Sequence, residues 1–202
     1  MNTPYIPELK TCSLKDLQRF NNAVYRVVND RNFEILEMLC RLLRYAGRVC
    51  LRVQKEETER TPYHLCMMLS WVLAIANRLS LYAHEDVDFF RKTKIPDNSP
   101  FSELQTLFAK RHQDTTIDKA ALCLIRKVAD LGSALEYYRE THEYCHFRDA
   151  AQRIAEIIEA LTVVSSPLGV NLAEAFEENF KHGCATCHTI PCKCGFRADK
   201  VV

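Results

Sequence analysis

Asn32–Val53 reads NFEILEMLCRLLRYAGRVCLRV, with Ile35, Leu36, Leu39, Leu42, Leu43 and Ala46 three and four residues apart. That spacing lays the apolar side chains along one face of a helix and leaves the other face polar. Arg44 and Arg48, four apart, fall on that polar face. The stretch therefore predicts a long amphipathic helix whose apolar side needs partners of the same kind.

Such partners flank it on both sides. Ser13, with Asp16 three residues on, starts a helix whose apolar side runs through Phe20, Val24 and Val27. After a polar loop over Gln54–Pro62, His64–Tyr82 predicts an apolar helix carrying the single Trp, Trp71, and a short helix follows over Glu85–Arg91. Lys92–Pro100, with its two prolines around Asp97-Asn98-Ser99, is a break. Beyond it, Ile117–Arg139 predicts an amphipathic helix and Thr141–Arg148 a polar, His-rich connection. Asp149–Val164 is a further helix, interrupted by Ser165-Ser166-Pro167, and Leu172–Phe180 a short acidic one. No segment shows sustained alternation bounded by turns, so the fold class expected is all-α.

Composition agrees with a packed helical protein. Of 202 residues 48% are hydrophobic, and only 5 Gly and 7 Pro are present, few for a chain of many tight turns. Lys plus Arg (27) and Asp plus Glu (26) nearly cancel, so total charge gives no reason to expect nucleic acid. Leu65–Leu81 is interrupted by Asn77 and Arg78, so no membrane partner is expected, and MNTPYIPELK lacks the pattern of a signal peptide. A reducing, cytoplasmic setting follows as the expectation.

The two halves resemble one another. Leu79-Ser-Leu-Tyr-Ala-His-Glu-Asp-Val-Asp-Phe-Phe-Arg aligns with Leu168-Gly-Val-Asn-Leu-Ala-Glu-Ala-Phe-Glu-Glu-Asn-Phe, and Leu43-Arg44 with Ile125-Arg126. The two alignments differ in offset, and the His-rich connection is where the extra residues are expected. We divide the chain into a first helical unit over 1–98, a second over 99–181 and a Cys-rich tail over 182–202.

Of the 10 Cys, Cys12, Cys40, Cys50, Cys66, Cys123 and Cys145 are scattered through the predicted helical region. Cys184-Ala-Thr-Cys187 and Cys192-Lys-Cys194 crowd into one loop flanked by Gly183 and Gly195. Four thiols with a leading C-x-x-C pair suit a tetrahedral zinc site of structural type, with His182 or His188 as possible substitutes for one thiol. A redox dithiol and an unliganded tail are the alternatives.

Trp71-Val-Leu-Ala-Ile-Ala-Asn-Arg-Leu-Ser-Leu, Leu168-Gly-Val-Asn-Leu-Ala-Glu-Ala-Phe and the Gly183-Cys…Pro-Cys-x-Cys tail resemble segments of the MazG-like nucleotide pyrophosphohydrolases. The resemblance covers about residues 30–195. It implies a helical core built from two units, here within one chain or from two copies. In that family the motifs Glu-Glu-x-x-Glu and Glu-x-x-Asp hold Mg²⁺ on paired helices, and the metals bind a nucleoside triphosphate and activate water. This sequence departs from the pattern: Arg44, Tyr45 and Arg48, then His64 and Met67, occupy the first set of positions. Arg126, Lys127 and Asp130, then Arg153 and Glu156, occupy the second. Asp130 and Glu156, with Glu159 a turn away, are the candidate catalytic acids, and magnesium is expected only if catalysis survives. Arg44, Arg48, Arg126, Lys127 and Arg153 are the candidate nucleotide-binding cations, because forked guanidinium donors suit phosphate.

The resemblance thus implies a non-hydrolysing nucleotide-binding or protein-interaction module that pairs with a protein partner or itself. A weak Mg²⁺-dependent pyrophosphohydrolase is the first alternative. The second rests on Arg139-Glu-Thr-His142-Glu-Tyr-Cys-His146, which resembles the Arg…His signature of HEPN ribonucleases. There Arg139 would hold the scissile phosphate and His146 would act as base.

Overall fold

The computed structural model describes residues 8–57 and 59–194. The expectations for residues 1–7 and for 195–202, Gly195 included, lie outside the described residues. Within them the chain is all-helical: a 3-10 turn at Leu9–Thr11 precedes α1 (Leu14–Asn32), α2 (Ile35–Gln54), α3 (Thr61–Arg78) and α4 (Ala83–Arg91). After these come α5 (Phe101–Arg111), α6 (Ile117–Thr141), α7 (Tyr144–Ser165) and α8 (Leu172–Phe180).

Local chemistry sets most helix ends. Ser13 caps α1 by accepting from the Asp16 N–H, as its sequence predicts. α2 begins at Ile35 rather than near Asn32. The preceding helix runs to Asn32, Phe33 is extended, and Glu34 and Glu37 close a reciprocal cap at the new start. α3 starts at Thr61 with Pro62 in its first turn and stops at Arg78, four residues short of the expected Tyr82. Ser80 there adopts a left-handed backbone, φ 57°, which no helix continues through.

In the second half one helix was not foreseen and one connection is corrected. Phe101–Arg111 is helical, because Phe101, Leu104 and Phe108 bury one short stripe against α7 and α8. The polar connection expected over Thr141–Arg148 is a tight turn: His142 is left-handed at φ 55°, and α7 starts at Tyr144. Ring contacts hold this turn, with Phe147 set against Tyr138 and Tyr144 at centroid distances of 5.6 and 6.2 Å. The additional residues of the second half therefore lengthen helices: α6 and α7 have 25 and 22 residues against 20 and 18 in α2 and α3.

One continuous apolar core joins all eight helices. α2 packs on α3 and α6 on α7, and the two hairpins meet through α2 and α6. α4 crosses onto α7 and α8 crosses onto α3, while α1 lies on α3 and α5 on α7. Exchanging α1–α4 with α5–α8 reproduces this list of contacts. The correspondence reaches single hydrogen bonds. Gln18 donates to the Leu81 carbonyl (2.7 Å) and accepts from the Ala83 N–H (2.9 Å). Gln105 donates to the Val170 carbonyl (2.6 Å) and accepts from the Leu172 N–H (3.0 Å). Each glutamine thereby satisfies the peptide groups of the turn that leads into the short crossing helix, groups that would otherwise be buried unpaired.

Candidate functional site

The four tail cysteines form one cluster whose sulfurs all lie within 4.8 Å of one another, a set able to hold a metal ion. The Sγ atoms of Cys184 and Cys194 are 3.5 Å apart, and those of Cys187 and Cys192 3.8 Å. Backbone N–H groups of Thr186, Lys193 and Cys194 donate to the sulfurs of Cys184, Cys187 and Cys192 respectively, which favours thiolate ligands. Neither His182 nor His188 belongs to the cluster; their rings stand edge to face 6.3 Å apart. Gly183 is required at its place: φ is +100°, and a Cβ would come within 2.6 Å of the Thr189 carbonyl oxygen. The loop is seated on α1, where Cys192 N–H donates to the Val24 carbonyl (2.7 Å) and Ala185 N–H to the Tyr25 hydroxyl (3.2 Å).

The candidate catalytic acids do not assemble a comparable set. Glu156, 7% exposed, accepts from Lys127 (2.7 Å), Gln152 (3.0 Å) and Arg153 (3.1 Å). Burial alone would raise its carboxyl, but those donors outweigh burial and hold it below its ordinary value. Asp130 is half-buried in the electrostatic reach of the same Arg153. Glu159, 6% exposed, belongs to a different knot, with Arg91 from the end of α4 and the His112 ring (3.1 Å) after α5. Among the described residues Asp130, Glu156 and Glu159 make no joint metal cluster. Lys127 and Arg153 thus neutralise Glu156, and Arg91 pairs with Glu159.

The five cations expected to bind nucleotide are also dispersed. Lys127 and Arg153 are engaged by Glu156, and Arg153 also by Asp149 (3.1 Å). Arg126 is exposed on α6, and Arg44 and Arg48 lie on α2, with Arg48 over the Tyr45 ring at 5.7 Å. As for the ribonuclease pair, Arg139 is exposed, while His146 stacks on Tyr137 at 5.5 Å and sits 3.8 Å from the Glu143 carboxylate.

A cleft of about 780 Å³ lies elsewhere, between α1, the end of α3 and the start of α4, and it contains none of those five residues. Its walls carry Lys15, Arg19 and Arg26 from α1, the amides of Asn21 and Asn77, and His84. Asp30 and Glu85 supply negative charge at the same walls. Asn21 is 1% exposed; its amide nitrogen donates to the Ser70 hydroxyl (2.8 Å), but its oxygen has no partner. His84, 9% exposed, leaves both ring nitrogens without a hydrogen bond, and burial lowers its pKa against the opposing pull of Asp97 and Glu85. The neutral ring thus offers one donor and one acceptor. Tyr82, 64% exposed, stands at the rim, and α4 begins there with no side-chain cap.

Sequence reasoning passed over this cleft, although the amides of α1 (Gln18, Asn21, Asn22, Asn29) were visible in the sequence of an amphipathic helix. No family model, no curated protein and no solved structure matches the chain.

Proposed function

We propose that this chain is a nucleotide-binding protein of MazG-like type that has lost hydrolysis, with its ligand in the α1–α3–α4 cleft. The observation that carries the reading is that the buried Asn21 amide oxygen and both His84 ring nitrogens make no hydrogen bond in a cleft walled by Lys15, Arg19 and Arg26. Unpaired buried polar groups cost stability, and a ligand that supplies their bonds recovers it. The exposed guanidinium groups of Arg19 and Arg26, each in a loose pair on its own helix, suit phosphate, the Tyr82 ring suits a base, and Asn21 Oδ1 suits an amino or hydroxyl donor. The volume is that of an ordinary small-molecule site. Loss of hydrolysis is supported by the pairing of Glu156 and Glu159 with cations. The matching contacts and the Gln18 and Gln105 clamps support descent of α1–α4 and α5–α8 from one duplicated unit.

Calorimetric titration with a panel of ribo- and deoxyribonucleoside phosphates tests the site. Binding that disappears in Arg19→Glu/Arg26→Glu, with no pyrophosphate released in Mg²⁺ or Mn²⁺, is expected. Failure of every nucleotide to bind overturns the reading, and turnover abolished by Glu156→Ala would restore the enzyme.

For the tail we propose structural zinc, since four thiolates in a closed set leave no open coordination position for chemistry. Elemental analysis should return about one zinc per chain, and a metal-free protein with four readily titrated thiols would refute it. A role in protein interaction draws support from another place, the exposed rings of Phe89, Tyr137 and Tyr144. Light scattering that gives a monomer at all concentrations would remove self-association.

A further inference from the structure

The near-zero total charge conceals a sorted surface. Along α2, Arg41, Arg44, Arg48, Arg52 and Lys55 follow at intervals of three and four residues, so they form one row on the side of the helix away from the core. At a rise of about 1.5 Å per residue the row is roughly 21 Å long, with its three central arginines about 6 Å apart. Arg60, exposed just before α3, extends it.

Exposed Glu56, Glu57 and Glu59 oppose the charge at the Lys55 and Arg60 end, so the row is strongest over Arg41, Arg44 and Arg48. Among the described residues only Arg52 of the row has an ion-pair partner, Glu57 at 3.4 Å. Glu37 shares the face but is turned to the Glu34 N–H at 2.7 Å. Rings line the same edge: Arg41 lies over Phe33 (4.4 Å) and Trp71 (5.6 Å), and Tyr45 meets Tyr63 edge to face at 6.4 Å. The field of the row is felt inside the protein too, since Arg52, Arg48 and Arg60 add to burial in lowering the His64 pKa. None of these cations borders the α1–α3–α4 cleft.

We propose that the α2 face, from Arg41 to Lys55 with Arg60, binds the phosphate backbone of single-stranded nucleic acid. A row of basic side chains along one helix face complements a regular polyanion. Tyr63, 39% exposed beside Tyr45, provides a ring on which an unpaired base stacks, which neither a lipid headgroup layer nor an acidic peptide requires. The binding is independent of base sequence, because the row reaches phosphates and not base edges.

The test is fluorescence anisotropy of labelled 20-nucleotide oligo(dT) and oligo(U) with the full chain at several salt concentrations. Both oligonucleotides should bind at low salt, with affinity falling as salt rises. Arg44→Glu/Arg48→Glu should lose at least about tenfold in affinity, and the salt slope should flatten by roughly 1.4, from two lost phosphate contacts. A charge-matched control, Lys110→Glu/Lys181→Glu, should bind as the parent does. Because Arg44 is exposed and Arg48 is on the rim, helical circular dichroism and melting should remain those of the parent. Excess mononucleotide that fills the cleft should leave oligonucleotide binding in place, which separates this surface from the nucleotide site. No binding at low salt overturns the proposal. So does equal binding by the α2 and control variants, or binding to phosphatidylserine vesicles with none to oligonucleotides.

Discussion

Gln18 and Gln105 make the same pair of bonds in the two halves of the molecule, yet the chemistry beside them differs. In the first half α1, 19 residues long, faces α3 through Asn21 on Ser70, and a polar cleft remains with unfilled hydrogen-bonding capacity. In the second half α5 has 11 residues, and the correspondence that matches Met67 with Glu156 puts Glu159 opposite Ser70. Glu159 is closed off by Arg91 and His112. One scaffold thus carries a half whose buried acids are paired, Glu159 in part by Arg91 of the other half, and a half with buried polar atoms left unpaired. A satisfied charge cluster holds helices together and has nothing left to offer a ligand.

The largest test of this contrast is Glu159→Ala. It removes the buried carboxylate that Arg91 and His112 face from the partly exposed side, so unfolding by urea should show a loss of about 2–3 kcal/mol. Ser70→Ala, which removes only a neutral bond to Asn21, should lose about 1 kcal/mol. Equal losses would erase the distinction between the halves. Gln18→Ala and Gln105→Ala probe what the halves share. Each leaves a carbonyl and an N–H unpaired, so each should lose about 1–3 kcal/mol, and a large difference between them would break the correspondence of the clamps.

Acid should separate the halves next. Burial first, and then Arg52, Arg48 and Arg60, lower the His64 pKa to about 4. Its unfolded value is near 6.5, so folding favours the neutral ring. The stability from this group is complete above about pH 6.5 and is lost as pH falls towards 4, with a slope of at most about 1.4 kcal/mol per pH unit. His84 adds to the trend in the same direction, since burial lowers its pKa also. Melting temperatures across pH 4–7 should flatten in His64→Gln. The smallest effect belongs to Asp149→Ala on α7, which removes a partly exposed pair with Arg153 at 3.1 Å. About 0.5 kcal/mol or less is expected in the same denaturation experiment.

Much of the fold could be read locally. Ile35 through Ala46 declared α2 by spacing alone, Ser13 declared the start of α1, and Leu172–Phe180 matched α8 at both ends. α5 escaped because an apolar stripe of Phe101, Leu104 and Phe108 is too short to stand out beside a proline-rich break. The α6–α7 turn was mistaken for a loop because polar His142 and Glu143 continue into a helix whose first turn is held by ring contacts rather than by propensity. The cation set was assembled from matched positions, but matching positions along two helices does not say which charges already face each other. Lys127 and Arg153 meet Glu156, whereas Arg44 and Arg48 join a row on α2 instead.

What the sequence determined by itself is the helical class and the cysteine cluster. Both rest on residues close along the chain: apolar side chains three or four apart, and four thiols between Cys184 and Cys194. Only the tertiary structure decided which polar groups are spent and which are free. Gln18 reaches Ala83 across 65 positions, Asn21 reaches Ser70 across 49, and Glu159 reaches His112 across 47. Such pairings depend on how helices cross, which is set by the whole apolar core rather than by any local run of residues. The cleft and the closed charge cluster are the two outcomes of that one packing.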